Sequence, residues 1–167
     1  MRKTRIRELS LKAFAPYGAY ASLINPDTVR IGAEPIEFFR DMVQLDLAGH
    51  SIASFSVCRV LQRPPVIDVT EYHSSCGEGI LPLDGDILCH VAAATPRGET
   101  PSSKIEVFRI PRGTFVSLRP GVWHHAPFAH GARCVNTLIV LPERTYANDC
   151  TVVEIPEPQR VEIVTDA

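Results

Sequence analysis

Near residue 51 the hydrophobic pattern of the chain becomes an alternation of apolar and polar side chains. In the run "SIASFSVCRV" two sets of residues would each share one face: Ala53, Phe55, Val57 and Arg59 on one, and Ser54, Ser56 and Cys58 on the other. A period of two indicates a half-buried β-strand. We expect Arg59 to lie at the inward end of this strand.

Several further runs have the composition of strands and are separated by turn residues such as "TPRGETPSS", "PRG" and "RPG". They are "PVIDVTEYH", "DGDILCHVAAA", "KIEVFRI", "GTFVSLRP", "ARCVNTLIVL" and "CTVVEI". Many short strands at close spacing, with little helix, predict an all-β sandwich or barrel.

Helical signals are confined to the first 50 residues. Ser10 is a suitable N-cap for the segment "LKAFA", which Pro16 and Gly18 then stop. The segment "PIEFFRDM" has apolar residues at helical spacing and predicts a second short helix, with a strand as the alternative. We therefore expect one or two short helices near the N-terminus.

The length of the chain and its frequent prolines and glycines predict a single domain over residues 1–167. Within it we expect an N-terminal helix and strands packed on the barrel (1–50), the barrel itself (51–155) and a C-terminal strand or arm (156–167). Five cysteines without a CxxC pair do not indicate a disulfide framework.

Composition narrows the classes of partner. Hydrophobic residues make up 45% of the chain, charged residues 22%, and the formal net charge is -2. No basic stripe is present for nucleic acid, and no apolar run approaches the roughly 20 residues of a membrane-spanning helix. The N-terminus lacks the apolar core of a signal peptide, so we expect a cytoplasmic protein.

The stretch "EYHSSCGEGILPLDG" concentrates potential ligands at a strand end. Glu71 and His73 alternate along the strand and would share a face. Glu78 follows a short turn and can return to the same space. A polar turn and a metal site are both consistent with this pattern.

A second group of candidates follows the strand "GTFVSLRP", where His124 and His125 are adjacent. Adjacent strand residues point to opposite faces, so we expect one of them, His124, to face inward. Together Glu71, His73, Glu78 and His124 would offer two imidazoles and two carboxylates. Such a mixed set suits Mn, Fe, Ni or Zn with open positions for substrate.

These two stretches resemble the two motifs of the cupin superfamily. "HSSCGEGILPLDG" is similar to the first motif, with its histidine, glutamate and glycine, and "GTFVSLRPGVWH" is similar to the second. The chain departs from the pattern at Glu71, where the family has the first histidine of a His-x-His pair. The resemblance implies a cupin-type β-barrel, or jelly roll.

Within the cupins, the chain resembles the ureidoglycolate lyase family over most of its length. The similar segments are "FAPYG", "EYH" with "LPL", "GVWHH" at 121–125 and "NDC" at 148–150. The resemblance implies a homodimeric enzyme of purine catabolism and allantoin degradation that releases glyoxylate and urea from ureidoglycolate. Three departures leave room for another substrate: Glu78 in place of a common Gln, "IGAE" in place of Asn-Asn-Gly, and Leu141–Pro142 in place of Asp-Arg.

Ureidoglycolate is a small hydroxy acid, which can chelate a metal ion through its carboxylate and hydroxyl. Glu71, if it is not a ligand, or His125 would transfer protons. Arg59 matches an arginine of the lyase family and would pair with the substrate carboxylate. Two alternatives stay open: a metal-dependent cupin enzyme acting on another hydroxy, keto or sugar acid, and a non-catalytic cupin that binds a small ligand.

Overall fold

The structure is a computed structural model that describes residues 1–96, 98–101 and 104–164. Its regular elements are almost all strands. The first half of the chain forms β1 (Arg2–Glu8), α1 (Leu11–Phe14), β2 (Gly18–Ser22), β3 (Arg30–Ala33), β4 (Ile36–Phe39), β5 (Ala53–Leu61), β6 (Val66–Ile67), β7 (Val69–Tyr72) and β8 (Glu78–Pro82).

The second half continues the same architecture, with a few short helical turns. It forms β9 (Asp86–Val91), β10 (Glu106–Ile110), β11 (Thr114–Leu118), β12 (Phe128–His130), β13 (Cys134–Pro142), α2 (Thr145–Asn148), β14 (Thr151–Glu154), a 3-10 turn (Glu157–Gln159) and β15 (Val161–Val164). In the described residues, no helix is long and apolar enough to cross a membrane.

Two sheets form the walls of the barrel. One has six strands in the order β12-β9-β10-β1-β15-β6, and the other has five in the order β2-β11-β8-β13-β5. Each of the six strand-like runs in the sequence contains at least one of these strands or of the smaller β14-β7 pair. The all-β, cupin-type barrel expected from the sequence is confirmed.

The chain ends contribute to the six-stranded sheet. Strand β1 pairs in parallel with both β10 and β15, so the first and last strands of the chain are neighbours. Segments 1–50 and 156–164 therefore each supply a strand to this sheet. The strand expected in the C-terminal segment is β15.

The main apolar core lies between the two sheets. Phe14, which α1 buries, contacts Phe108 of β10 edge to face with ring centroids 5.2 Å apart. Ile80 of β8 and Ile139 of β13 approach from the other sheet. Ser10 caps α1 by accepting a hydrogen bond from the Ala13 backbone N–H, as its N-cap signal predicted.

Of the two alternatives for "PIEFFRDM", the helix is wrong and the strand is confirmed. Residues Ile36–Phe39 form β4, which pairs antiparallel with β3 in a register that places Ile31 opposite Phe38. Helical spacing of three apolar residues cannot distinguish a helix from a short hairpin strand, because pairing with the neighbouring segment decides between them. The additional helix of the structure, α2, lies late in the chain.

The expected orientation of β5 is also wrong. Phe55 and Val57 point outward and are 71% and 59% exposed, whereas Cys58 and Val60 face the core between the sheets. Arg59 therefore lies on the outer face, where its Nε donates to Asn136 Oδ1 at 2.8 Å. The alternation correctly defined two faces, but a period of two does not tell which face is buried.

Candidate metal centre

The site is built where β7 ends and β8 begins. His73 directly follows β7, the turn at residues 74–77 reverses the chain, and Glu78 is the first residue of β8. Because side chains alternate along a strand, Glu78 shares the inward face of β8 with the core residue Ile80. The turn thus brings a histidine and a glutamate from one sequence motif to the same side of the barrel wall.

The third member comes from the segment before β12. Glu71 and His124 form a backbone bridge, with Glu71 N donating to His124 O at 2.6 Å and His124 N donating to Glu71 O at 2.8 Å. One residue earlier, Trp123 exchanges two backbone hydrogen bonds of 2.9 Å with Ala92. These bridges hold the segment rigidly beside β7 and direct the His124 side chain toward Glu78.

His73, Glu78 and His124 converge on one point. Nε2 of His73 lies 2.9 Å from Glu78 Oε2, and Nε2 of His124 lies 3.1 Å from the same oxygen. The potential ligand atoms of the three residues all lie within 4.8 Å of one another. None of the three residues is more than 5% exposed. We refer to these three residues as the triad.

The outer nitrogens of both imidazoles are already engaged by backbone carbonyls. Nδ1–H of His73 donates to Asp149 O at 2.7 Å, and Nδ1–H of His124 donates to Val122 O at 2.8 Å. A neutral imidazole carries one proton, so each Nε2 presents a lone pair to the carboxylate. Lone pairs that face a carboxylate require a proton or a cation between them, and the donor set therefore fits a divalent metal ion.

The charges inside the triad support one another. Burial alone would raise the pKa of Glu78, but where protons on Nε2 take the place of a cation, the charge of His124 and the hydrogen bonds donated by both protonated histidines outweigh burial and lower the pKa to about 2. Burial would likewise lower the pKa of His124, yet the charge and hydrogen bond of Glu78 raise it. The carboxylate is thus anionic at neutral pH and attracts positive charge to this point.

A buried hydroxyl and a further histidine support the backbone of His124. The Thr70 hydroxyl donates to His124 O at 3.2 Å, and His90 Nε2 lies 3.2 Å from the same hydroxyl. Burial is the main reason that the pKa of His90 falls to about 3, so this imidazole is neutral. His90 is therefore linked to the backbone of His124 by hydrogen bonds through the Thr70 hydroxyl.

Glu71 lies beside the triad without joining it. Its Oε2 accepts a hydrogen bond from the Cys150 thiol at 3.3 Å, and its charge helps to raise the pKa of His124. Burial followed by the charge of Glu71 raises the pKa of Cys150 to about 12, so this group is a neutral thiol. Of the four ligands expected from the sequence, the structure brings three together and leaves Glu71 as a neighbouring carboxylate.

His125 is half-buried and is absent from the triad. Burial lowers its pKa, and the charges of Arg63 and His124 act in the same direction against those of Glu71 and Asp68. Its imidazole is therefore neutral at neutral pH and lies within electrostatic reach of Glu71.

The structure draws attention to a different arginine from the expected one. Arg63 places its guanidinium 4.0 Å from the centroid of the Phe128 ring and donates to Ala126 O at 2.8 Å. Burial, followed by the charge of Glu78, raises the pKa of the Cys58 thiol, and the charge of Arg63 acts in the opposite direction. Arg59, by contrast, contacts Asn136 on the outer face.

Sequence reasoning missed most of the segment at residues 145–150, which covers one side of the triad. The Tyr146 ring stands edge-on to His73 with centroids 6.2 Å apart, Asp149 O holds His73 Nδ1, and Cys150 contacts Glu71. The late "NDC" was the available signal, but the roles of Asp149 and Cys150 depend on contacts with residues more than seventy positions earlier.

Comparisons with known proteins agree with this architecture. The family model for ureidoglycolate lyase matches residues 1–162. A ureidoglycolate lyase of Azotobacter vinelandii is 29% identical over 77% of this chain and 79% of its own length. One from Stutzerimonas stutzeri is 26% identical over 96% of this chain and 95% of its own.

A solved structure has a similar fold. The dTDP sugar isomerase of Desulfovibrio desulfuricans G20 is similar to this chain with a TM-score of 0.52 and 18% identity, covering 86% of this chain and 89% of its own. At that identity the similarity concerns the fold alone.

The triad predicts that metal ions stabilise the folded protein. Mn²⁺ or Zn²⁺ added to protein treated with a chelator should raise the melting temperature, because an ion that binds only the folded state at about 100 times its Kd adds about 2.7 kcal/mol. His73→Ala should lose this increase. His130→Ala, which removes a histidine of β12 outside the triad, should keep it; equal shifts in both variants would contradict the assignment.

Proposed function

This chain belongs to the ureidoglycolate lyase family, and we propose that it splits ureidoglycolate into glyoxylate and urea with a divalent metal ion held by His73, Glu78 and His124. The observation that carries the proposal is the convergence of two imidazole Nε2 atoms on one buried carboxylate oxygen. The metal ion is one of Mn, Fe, Ni or Zn, since a set of two nitrogens and one oxygen suits all four.

The reaction breaks the bond between the hydroxyl-bearing carbon and the urea nitrogen. A divalent ion held by the triad would supply Lewis acidity at the substrate hydroxyl. The remaining requirements are a base for the hydroxyl proton, an acid for the departing nitrogen, and a partner for the substrate carboxylate.

Glu71 is the residue best placed to move the proton. Its carboxylate lies beside the triad and is held by the Cys150 thiol at 3.3 Å. The proton that leaves the hydroxyl is also the one that the urea nitrogen gains, so one carboxyl group can act first as base and then as acid. His125 is the second candidate for this transfer, since it lies within reach of the Glu71 charge.

Arg63 replaces Arg59 as the proposed partner of the substrate carboxylate. The Phe128 ring and the carbonyl oxygens of Ala126 and Pro127 fix the position of its guanidinium. An arginine held in this way loses little further freedom when it binds a carboxylate. The charge of Arg63 also acts on the pKa of His125, the second candidate for proton transfer, which supports a role of Arg63 near the site.

We also propose that the enzyme works as a homodimer. On β5 an apolar row, formed by Phe55, Val57 and Leu61, is 59% to 71% exposed. The β3–β4 hairpin pairs with no other strand in the described residues and exposes Ile36 and Phe38 by 78% and 60%. Large exposed apolar patches of this kind mark interaction surfaces, and a hairpin alone is marginally stable.

A second copy of the chain is the partner that would bury both the β5 row and the exposed side of the hairpin. An apolar groove of about 540 Å³ connects them, with Phe39 of the hairpin and Phe55 of the row among its lining residues. In a two-fold dimer the same surfaces are buried twice, once on each subunit.

For the cell, we propose a cytoplasmic role in purine catabolism through allantoin degradation.

Two glutamate variants separate the role of a base from that of a ligand. Purified enzyme supplied with ureidoglycolate should release glyoxylate above the spontaneous background. Glu71→Gln should lower kcat by about 100- to 10,000-fold while it leaves Mn²⁺ affinity unchanged, because it removes only proton transfer. Glu78→Gln should lower Mn²⁺ affinity.

Other outcomes of these assays would have clear meanings. Loss of Mn²⁺ affinity in Glu71→Gln would make Glu71 a ligand. Metal binding without any acceleration of glyoxylate release would favour a cupin enzyme acting on another hydroxy, keto or sugar acid.

The two arginines give a matched pair of variants. Arg63→Gln should raise KM for ureidoglycolate by about 10- to 100-fold, because a hydrogen bond to a charged group contributes about 1.5 to 3 kcal/mol. Arg59→Gln should leave KM within twofold of the unaltered enzyme. A reversed pattern in steady-state kinetics would restore Arg59 to the site and remove Arg63 from it.

The dimer interface can be tested by light scattering after size-exclusion chromatography. The unaltered protein should have twice the mass of one chain, and Val57→Glu combined with Phe38→Ser should have the mass of one chain. Leu11→Glu, which replaces a side chain 77% exposed on α1, should remain dimeric. A dimer that survives the double substitution would exclude this interface.

A further inference from the structure

Asp149 makes an unusual set of contacts with the turn that separates His73 from Glu78. Its Oδ1 accepts hydrogen bonds from the backbone N–H and hydroxyl of Ser74, at 2.8 and 2.5 Å. Its Oδ2 accepts the corresponding pair from Ser75, at 2.9 and 2.5 Å. One carboxylate therefore satisfies four N–H and O–H donors of a single turn, and the Cys76 thiol lies 3.8 Å from its Oδ2.

The main chain of the same residue contacts a triad histidine. Asp149 O accepts the Nδ1–H of His73 at 2.7 Å, so the residue that fixes the turn also fixes the ring that precedes the turn. His124 differs in this respect, because its Nδ1–H donates to Val122 O, only two residues away. The tautomer of His73 thus depends on a contact between distant parts of the chain.

We propose that Asp149 is a positioning residue of the metal site, whose carboxylate holds the 74–75 turn so that its own carbonyl keeps His73 in the Nδ1–H tautomer. Nε2 of His73 is then left as a lone pair directed at Glu78 Oε2, 2.9 Å away. This inference rests on the proposed metal-assisted function and adds a residue that holds one ligand in place. Groups that orient metal-binding histidines in this way commonly contribute 10- to 100-fold in affinity.

The neighbouring contacts agree with a role of Asp149 in joining the turn to the α2 segment. The helix α2 ends immediately before Asp149, and Thr145 within it donates to Pro142 O at 2.8 Å, which anchors the segment to the end of β13. Cys76, in the same turn as the two serines, has its sulfur 3.9 Å from Thr145 Oγ1. The carboxylate therefore joins the 74–75 turn to a segment that is anchored at the end of β13.

The test uses the full chain and two readouts that do not depend on catalysis. Mn²⁺ affinity of Asp149→Ala, measured by calorimetry, should fall by about 10- to 100-fold. In metal-free protein, nitrogen NMR of the imidazoles should show His73 as the Nδ1–H tautomer in the unaltered chain and as a mixture in Asp149→Ala, with His124 unchanged.

Asp84→Ala is the matched control. Asp84 also accepts hydrogen bonds from a backbone N–H and a side chain, both of Asn136, at a turn outside the triad. It should retain the affinity and both tautomers. If Asp149→Ala does not fold, the double variant Ser74→Ala and Ser75→Ala removes two of the four donors from the other side and should shift both readouts in the same direction.

Retention of the His73 tautomer together with full Mn²⁺ affinity in Asp149→Ala would overturn the inference. The NMR readout stands without any metal or substrate, so it separates a failure of this inference from a failure of the proposed lyase reaction. The latter would appear as unaltered protein that shows the expected tautomers and releases no glyoxylate.

Discussion

The site depends on one electrostatic constraint: two imidazole lone pairs and a carboxylate oxygen face one another in a place from which water is nearly excluded. Nδ1 of His73 and of His124 is committed to a backbone carbonyl, so both Nε2 atoms approach Glu78 Oε2 without a proton of their own in the neutral state. Such an arrangement is stable only with positive charge at its centre. A bound metal ion meets that requirement and leaves the carboxylate ionised.

The barrel provides the rigidity that this arrangement needs. Glu78 begins a strand in the middle of the five-stranded sheet, and the backbone bridges of Glu71 and Ala92 fix the segment that contains His124. Glu78 and His124 therefore come from segments held by backbone pairing, and the carbonyl of His73, just after β7, accepts a hydrogen bond from Gly121 N–H at 2.7 Å. The 145–150 segment closes the remaining side through Asp149 and Cys150, so the groups nearest the triad belong to three separate parts of the chain.

The two faces of strand β5 have different surroundings. Its inner face places Cys58 near the two glutamates, while its outer face presents Phe55, Val57 and Leu61. An edge strand with an exposed apolar row is open to unspecific pairing, and burial in the proposed symmetric dimer would protect it. The core between the sheets accounts for the inward position of Cys58 and Val60.

The sequence by itself determined the class of fold, most of the strands and the four candidate ligands from which the triad comes, because strand alternation and the short motifs around His73 and His124 are local properties of the chain. It could not determine which face of β5 is buried, and therefore that Arg59 lies on the outer face, or the pairing of residues 36–39 as a strand. The contacts of Asp149 with Ser74, Ser75 and His73 could not be predicted from the sequence either. Each of these depends on which distant segment lies opposite, and only the assembled barrel fixes that pairing.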